Sequence, residues 1–209
     1  MDSLWPMFSD VAYSVILFFT FALIVQFLEL SQVFDDLTRR QAQNSLQDAL
    51  QSQAFFQKMI DENTLTVRIQ GSLQRFSFAA DIVFVAGEAS LQQRGLEVLT
   101  QFAQFISERA PSQINIEVEG HTDRLPVTSG RYRDNWELSS ERALTVVRLF
   151  QSLSLNESSG VHLDPARISA IGYGEYRPVE NDVIASRKNR RVEIRLDYSP
   201  LSSPTVTSD

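Results

Sequence analysis

The N-terminal part of the chain contains one long apolar run, between Asp10 and Glu29. The eighteen residues between these two acids include no charged residue, no proline and no glycine. As a helix the run would be roughly 27 Å long, which is close to the hydrocarbon thickness of a bilayer. No basic residue precedes the run and no small-residue cleavage site follows it, so we expect it to be retained rather than removed as a signal peptide. The pattern predicts a transmembrane helix over residues 10–30, after a short tail of residues 1–9.

Residues 31–62 have the pattern of a helical connector. No glycine or proline occurs between Ser31 and Asp61, and apolar residues recur at three- and four-residue spacing, at Ala42, Leu46, Ala49, Phe56 and Ile60. Such a stripe is compatible with a two-stranded coiled coil, through which the chain would form a homodimer. It is equally compatible with an amphipathic helix that packs against its own domain.

From residue 63 onwards, short runs with strand periodicity alternate with stretches of helical periodicity. Alternating apolar residues predict strands at Asn63–Gly71, Gln113–Glu119, Arg167–Gly172 and Val192–Leu196. Helical spacing predicts helices at Leu91–Arg109, Glu137–Leu153 and, more briefly, Asn181–Asn189. This order of elements predicts an α/β sandwich over residues 63–198. Residues 199–209 are rich in serine and threonine and are expected to form a disordered tail.

Composition narrows the range of partners. The formal net charge is −7 and the sequence pI is about 4.9, which argues against nucleic acid as a partner. The absence of cysteine excludes disulfides, cysteine metal sites and a lipidated N-terminal cysteine.

The densest group of polar residues follows the second predicted strand and continues onto the next helix. Asp123 ends the run Gly120-His121-Thr122-Asp123, and Arg142 lies on the helix. A carboxylate can bind an ammonium group, and a guanidinium can bind a carboxylate through two parallel hydrogen bonds. An amino acid carries both groups on one carbon and fits such a pair. The alternative is a mutual surface salt bridge between Asp123 and Arg142, worth under about 1 kcal/mol.

No catalytic constellation is evident in the sequence. Serine, histidine and aspartate all occur, but no nucleophile elbow is present. No metal-ligand spacing connects His121, His162 and Asp123. We therefore expect neither an enzyme, nor a metal site, nor a bound cofactor.

Three ordered motifs resemble the OmpA-like peptidoglycan-binding domain. They are Gly120-His121-Thr122-Asp123, Asn-x-x-Leu-Ser-x-x-Arg-Ala over residues 135–143, and Asn189-Arg190-Arg191-Val192-Glu193. The run Asn135-Trp136-Glu137-Leu138-Ser139 is most similar to the MotB branch, and the resemblance covers about residues 80–197.

The resemblance implies that this domain binds peptidoglycan. Asp123 and Arg142 would grip the diaminopimelate of a stem peptide. Thr122, Asn135 and Leu138 would line the same pocket, and Arg190 and Arg191 would support it.

The N-terminal segment is similar to that of MotB-like and PomB-like stator subunits. The resemblance implies a single-pass inner-membrane protein with its C-terminal domain in the periplasm, in which Asp10 carries the coupling ion. H+ is the expected ion and Na+ the alternative. The implied partner is a multi-span MotA-like subunit, five copies around two of this chain. From the residues alone, Asp10 is either a hydrated helix N-cap at the headgroup level or an ion-carrying carboxylate.

Several alternatives stay open at this point. The tail before the span lacks the basic residues common in flagellar MotB, so a flagellar motor, a Zorya-type anti-phage system and another rotary complex are all compatible. Residues 31–40 are either a channel-closing plug or a plain continuation of the helix. A plain wall tether without ion conduction, and an enzyme acting on peptidoglycan, are the competing functions.

Overall fold

The computed structural model describes residues 5–110, 114–128, 131–181 and 183–198. The chain divides into two compact units, residues 1–41 and residues 42–209. The first helix, α1, is Trp5–Ser52. Asp10 lies in α1, but its side chain is outside the described part of the chain, as are the residues of the predicted C-terminal tail, 199–209.

The first unit contains the predicted N-terminal apolar helix. Within the described residues, one helical stretch, Ala12–Leu50, has the length and composition needed to cross a membrane. Its apolar side chains are exposed, and Phe18, Leu23 and Phe27 each leave more than half of their surface uncovered. The helix continues well beyond the predicted end of the span, because neither proline nor glycine interrupts it before Ser52.

The second unit begins with the last turns of α1 and with α2, Ala54–Asp61. Gln53 has an extended backbone between the two helices, so the apolar stripe is split at this residue. Leu46, Leu50 and Phe56 on either side of it are fully buried in the core of their own unit. The stripe therefore packs as an amphipathic helix on its own domain. The coiled-coil alternative is wrong for these side chains, because the core already covers them.

In the described part of the chain, five strands form one sheet in the order β1-β2-β5-β3-β4. They are β1 Leu65–Gln70, β2 Leu73–Ala79, β3 Asn115–His121, β4 Ile168–Gly172 and β5 Arg191–Asp197. Among these described strands, β3 and β4 pair in parallel and the other neighbours pair antiparallel. Strand β2 was not predicted. It pairs with β1 through a hairpin at Gly71, whose φ of +60° suits glycine.

The remaining helices of the second unit are α3 Ala80–Val83, α4 Gln93–Arg109 and α5 Asn135–Leu155. Two short 3₁₀ turns, Glu157–Ser159 and Pro165–Arg167, lie between α5 and β4. The helix predicted at Asn181–Asn189 is wrong, since the described residues of this range form bends and turns. The side chain of Asn189 competes with the helix: its Nδ2 donates to the carbonyl oxygen of Glu180, which the first helical turn would need, and its Oδ1 accepts from the backbone N–H groups of Val179 and Glu180.

Alternation along the strands separates an apolar face from a charged one. Val118 and Ile194, with other fully buried apolar side chains, join α4 and α5 in one core. At the end of β3, Gly120 lets α5 approach closely, because a Cβ there would lie 2.0 Å from the carbonyl oxygen of Ser139. This contact brings the loop after β3 and the first turns of α5 together. The predicted α/β sandwich after an apolar helix is confirmed.

Candidate functional site

Asp123 lies two residues beyond the end of β3, in a loop that the structure fixes at several points. The preceding backbone N–H, of Thr122, donates to the carbonyl oxygen of Gly174 at 2.9 Å. The Asp123 carboxylate is 5% exposed, accepts a hydrogen bond from the Leu125 N–H at 3.3 Å and forms an ion pair with Arg190 at 2.5 Å. The carboxylate therefore lies just under the surface, with a partly exposed guanidinium over it.

Arg142 lies on α5 and is also 5% exposed. Its Nε donates to the carbonyl oxygen of Glu88 at 2.9 Å, and its guanidinium lies over the ring of Phe84 at 5.2 Å. Among the residues that the structure describes, its two terminal nitrogens have no hydrogen-bond or ion-pair partner. Burial lowers the pKa of Arg142 to about 10, while the charge of nearby Asp123 acts in the opposite direction. Arg142 therefore stays charged at neutral pH although it is buried.

The predicted alternative for Asp123 and Arg142, a mutual surface salt bridge, does not describe this arrangement. Both side chains are buried, and the ion pair of Asp123 is with Arg190. Arg142 is near enough for the Asp123 charge to affect its pKa, yet its hydrogen bond goes to a backbone oxygen.

Asn135, Leu138 and Thr122, which were predicted to line the pocket, are all buried beside these charges. Asn135 is the first residue of α5, and its Nδ2 lies within hydrogen-bond distance of the carbonyl oxygens of Asp123 and Leu125, at 3.3 and 3.0 Å. Leu138 lies one helical turn before Arg142. The Thr122 hydroxyl is buried and has no hydrogen-bond partner among the described residues.

The side chains of Arg190 and Arg191 contact different residues. Arg190 contacts Asp123, as predicted for a supporting residue. Arg191 does not contact the pocket: its Nε donates to Glu193, and its terminal nitrogens donate to the backbone oxygens of Asn189 and Arg177. Neighbouring side chains along an extended chain point to opposite faces, so these two arginines cannot both face Asp123.

Sequence reasoning missed the residues that hold Arg142 in place. The carbonyl oxygen of Glu88 and the ring of Phe84 lie before α4, far from Arg142 in the sequence. Tyr132 accepts a hydrogen bond from the Ala89 N–H and so ties the same segment to the loop before α5. No local pattern could identify them, because they act through a backbone carbonyl and a ring face.

A second group of buried charges occupies the other face of the sheet. Ligand atoms of Glu119, His121 and Glu193 lie within 4.8 Å of one another. Arg191 and Arg195 form ion pairs with Glu193 and Glu119, at 2.5 and 3.4 Å. Guanidinium groups already neutralise these carboxylates, so the site offers no excess negative charge to attract a cation. We call Glu119, His121, Glu193, Arg191 and Arg195 the charge-paired cluster.

His121 is a member of this cluster whose ring nitrogens lack hydrogen-bond partners among the described residues. Its side chain is 2% exposed, and its Nε2 lies 3.4 Å from Glu119 Oε2. Neither ring nitrogen makes a hydrogen bond to a described residue, and the ring stacks on Tyr173 at 5.3 Å. Burial lowers the pKa of His121, while Glu119 acts in the opposite direction. The imidazole is therefore neutral at neutral pH.

The pocket between β3 and α5 combines a buried carboxylate with a buried guanidinium that retains hydrogen-bond donors. Arg142 can donate two parallel hydrogen bonds to a carboxylate. Asp123 can accept from an ammonium group if Arg190, whose side chain is 38% exposed, moves aside. The arrangement suits a zwitterionic ligand.

Comparison with known proteins identifies the fold and its relatives. The OmpA family model matches residues 83–191. "Motility protein B" of Bacillus subtilis is 33% identical over 115 residues, which is 54% of this chain and 41% of that protein. The chain thus spans less than half of the length of this relative.

Two solved structures share the fold. A MotB-like protein from Desulfovibrio vulgaris matches with a TM-score of 0.63 and 25% identity, over 80% of this chain and 96% of that one. The cell wall anchor of the T6SS from Pseudomonas aeruginosa matches with a TM-score of 0.58 and 26% identity, over 68% of this chain and 94% of that one. The resemblance to the MotB branch of OmpA-like proteins is confirmed.

Proposed function

The chain belongs to the OmpA family, and from this premise we propose that it anchors an inner-membrane complex to the cell wall by binding peptidoglycan. In this proposal Asp123 takes the ammonium group of diaminopimelate and Arg142 takes the carboxylate on the same carbon. The role is one of binding, without catalysis. The observation that carries the proposal is the buried Arg142 guanidinium with unused terminal donors beside a buried carboxylate.

The energetics of Arg142 favour a ligand of this kind. A buried charge without a charged partner costs several kcal/mol, whereas a bidentate carboxylate compensates it. Glu88 contributes only a backbone oxygen, and Phe84 only a ring face. A ligand carboxylate would supply the charge that these neighbours lack.

The membrane part of the proposal is supported by the first unit. The exposed apolar side chains of the helical stretch Ala12–Leu50 require an apolar environment. We propose a single span in the inner membrane with the OmpA-like domain in the periplasm, where peptidoglycan lies.

We further propose that the anchored complex is an ion-driven rotary motor and that this chain is its stator subunit. The support is the similarity to motility protein B together with an aspartate, Asp10, at the start of the apolar run. Asp10 would carry H+ through a passage made with a multi-span MotA-like partner, five copies around two of this chain. An ionisable residue in a membrane span commonly lines an ion path.

A plain wall tether without ion conduction is the second candidate. It is supported by the structural likeness to the cell wall anchor of the T6SS. In that case the span is only an anchor, and replacing Asp10 has no effect on function.

Wall binding is tested by co-sedimentation of the detergent-purified full chain with sacculi that contain diaminopimelate. Arg142→Ala should lower the affinity at least tenfold, and free diaminopimelate should compete with the wild type. Arg148→Ala is the matched control, because Arg148 lies on the same helix with its side chain 66% exposed and should bind as the wild type does. Arg142→Lys, which keeps the charge and loses the fork, should be intermediate. Unchanged affinity in both Arg142 variants would refute the pocket.

Ion conduction is tested separately, in cells that co-express the chain with its multi-span partner. Residues 31–40 are deleted to remove a plug, and ion flux is compared between this variant and the same variant with Asp10→Asn. Flux that disappears with Asp10→Asn supports the motor. Absence of flux in both variants leaves the tether.

A further inference from the structure

An exposed aromatic pair lies beside the pocket. Trp136, at the start of α5, and Tyr176, after β4, stack with ring centroids 5.4 Å apart and planes 29° apart. They remain 47% and 65% exposed although each covers part of the other. Adjacent large aromatics at the surface commonly mark a binding site, and tryptophan and tyrosine are enriched among the residues that carry binding energy.

The two chain segments that carry the pair are joined by the residues around it. Glu175, next to Tyr176, accepts a hydrogen bond from Asn135, next to Trp136, at 2.7 Å. The Gly174 N–H donates to the Ser139 hydroxyl at 2.9 Å, and Gly174 has a φ of +54° that suits glycine. A Cβ at Gly174 would lie 3.4 Å from the backbone of Asn135 and Trp136. The two segments are therefore in place before a ligand binds, which limits the conformational entropy that binding costs.

The same residues connect the pair to the proposed diaminopimelate pocket. The Asn135 side-chain amide that binds Glu175 also lies 3.3 Å from the carbonyl oxygen of Asp123. The loop that carries Asp123 and the loop that carries Tyr176 thus meet at one side chain, and Trp136 follows directly after it.

The chemistry of the proposed ligand supplies an occupant. In peptidoglycan, each stem peptide is joined covalently to an amino sugar of the glycan strand. A chain segment spans about 3.3–3.6 Å per residue, so a sugar lies within about 10 Å of a residue in the middle of a short stem. A protein that grips the peptide therefore has a sugar ring within reach of the surface beside its pocket.

We propose that Trp136 and Tyr176 form a platform on which a sugar ring of the glycan strand stacks, which extends the peptide pocket into a glycan subsite. The proposal rests on the proposed function. The C–H groups of a pyranose face carry partial positive charge, and the face of an aromatic ring carries partial negative charge, so the two attract. The platform would make the protein prefer a peptide that is still attached to its glycan over a free stem peptide.

The test compares two soluble probes on the detergent-purified full chain. One is a free stem tetrapeptide that contains diaminopimelate, and the other is the same tetrapeptide attached to its disaccharide. Affinities are measured by calorimetry for the wild type and for Trp136→Ala, Tyr176→Ala and Trp136→Phe. Leu155→Ala is the matched control, because Leu155 is an 81% exposed apolar residue at the other end of α5.

Trp136→Ala should weaken binding of the disaccharide-linked peptide about tenfold and leave binding of the free peptide unchanged. Tyr176→Ala should act in the same direction, and Trp136→Phe should retain most of the affinity. Leu155→Ala should bind both probes as the wild type does. Equal losses on both probes would mean that the rings only support the peptide pocket, and no loss on either would mean that they contact no sugar. Either result overturns the platform.

Asp123→Ala separates this inference from the proposed function. If the proposed function holds, Asp123→Ala weakens both probes. If Asp123→Ala binds the free peptide as tightly as the wild type does, the pocket is refuted, and the platform is refuted with it. Loss in Asp123→Ala without a probe-specific loss in Trp136→Ala refutes the platform alone.

Fluorescence gives an independent readout of the same contact. The chain has two tryptophans, so Trp5→Phe leaves Trp136 as the single reporter. The emission of Trp136 should change when the disaccharide-linked peptide is added and stay constant with the free peptide. An unchanged spectrum at saturating disaccharide-linked peptide would contradict stacking.

Discussion

The two groups of buried charge in the domain differ in how their charge is matched. On the charged face of the sheet, carboxylates and guanidinium groups pair closely: Arg191 lies 2.5 Å from Glu193, and Arg195 lies 3.0 Å from Glu117. In the pocket, Arg142 donates a hydrogen bond to a backbone oxygen and lies over a ring face, and among the described residues it forms no ion pair, although the Asp123 charge is near. Strand β3 carries Glu119 and His121 of the charge-paired cluster, and Asp123 of the pocket follows two residues after its end.

This difference separates a structural role from a binding role. A buried pair that satisfies itself has little left to offer a ligand, and breaking it leaves an uncompensated charge. A buried guanidinium with unused donors is costly in the free protein and gains when a carboxylate arrives. We infer that the charge-paired cluster supports the sheet and that the pocket is the part reserved for a ligand.

The largest effect on stability is expected from breaking the charge-paired cluster. Glu193→Ala removes the partner of the buried Arg191 and should lower the free energy of unfolding by about 3–5 kcal/mol. Urea unfolding of the purified chain, followed by near-ultraviolet circular dichroism, measures it. The matched control is Glu62→Ala, since Glu62 is an exposed partner of Lys58 and Arg94, and we expect a loss below about 1 kcal/mol. Equal losses for the two variants would contradict the structural role of the cluster.

A smaller effect on stability is expected from Gly120→Ala, which acts on both groups at once. The new methyl group would meet the Ser139 carbonyl oxygen at 2.0 Å and push α5 away from β3. Overpacking of this kind costs typically about 1–3 kcal/mol. Because α5 carries Arg142, affinity for sacculi should fall as well, measured on protein that remains folded. Wild-type affinity in a destabilised Gly120→Ala chain would show that the distance between the helix and the strand does not set the pocket.

The sequence predicted the pocket better than it predicted the loops around it. Asp123 and Arg142 were recognisable because a carboxylate after a strand and an arginine on the next helix are local features. The close approach of these two elements depends on the missing side chain of Gly120 and on the backbone carbonyl of Ser139. Neither feature indicates in the sequence which element it contacts. The Glu88 carbonyl that holds Arg142 is invisible for the same reason, since any residue could supply it.

The errors in the fold have physical causes of the same kind. Strand β2 was missed because its polar face reads as a loop, and its position follows from pairing with both β1 and β5. Asn181–Asn189 has helix-compatible residues, but the Asn189 side-chain amide donates to the carbonyl oxygen of Glu180, which the first turn of such a helix would need as an acceptor. The connector stripe allowed two packings, and only the burial of Leu46 and Phe56 in the core decided between them.

The buried His121 should make the free energy of unfolding depend on pH. Because burial lowers its pKa in the folded chain, the unfolded chain takes up the proton first as the pH falls below the ordinary histidine value of 6.5. The unfolded state then binds more protons than the folded state, so stability should fall as the pH is lowered from about 6.5. His121→Gln should reduce this slope, and His162→Gln, which replaces the exposed second histidine, serves as the matched control. Identical pH profiles for the two variants would refute the assignment.

The smallest effect on stability is expected from breaking the Arg187–Asp81 ion pair, which has good hydrogen-bond geometry but is exposed. Arg187 donates two hydrogen bonds to Asp81, at 2.6 and 3.2 Å, and both side chains are nearly half exposed. If burial decides the strength of an ion pair, Arg187→Ala should cost under about 1 kcal/mol, and the loss should shrink further in high salt. Urea unfolding at low and high ionic strength measures both. A loss that matches that of Glu193→Ala and does not change with salt would mean that geometry, rather than burial, distinguishes the charge-paired cluster from ordinary surface pairs.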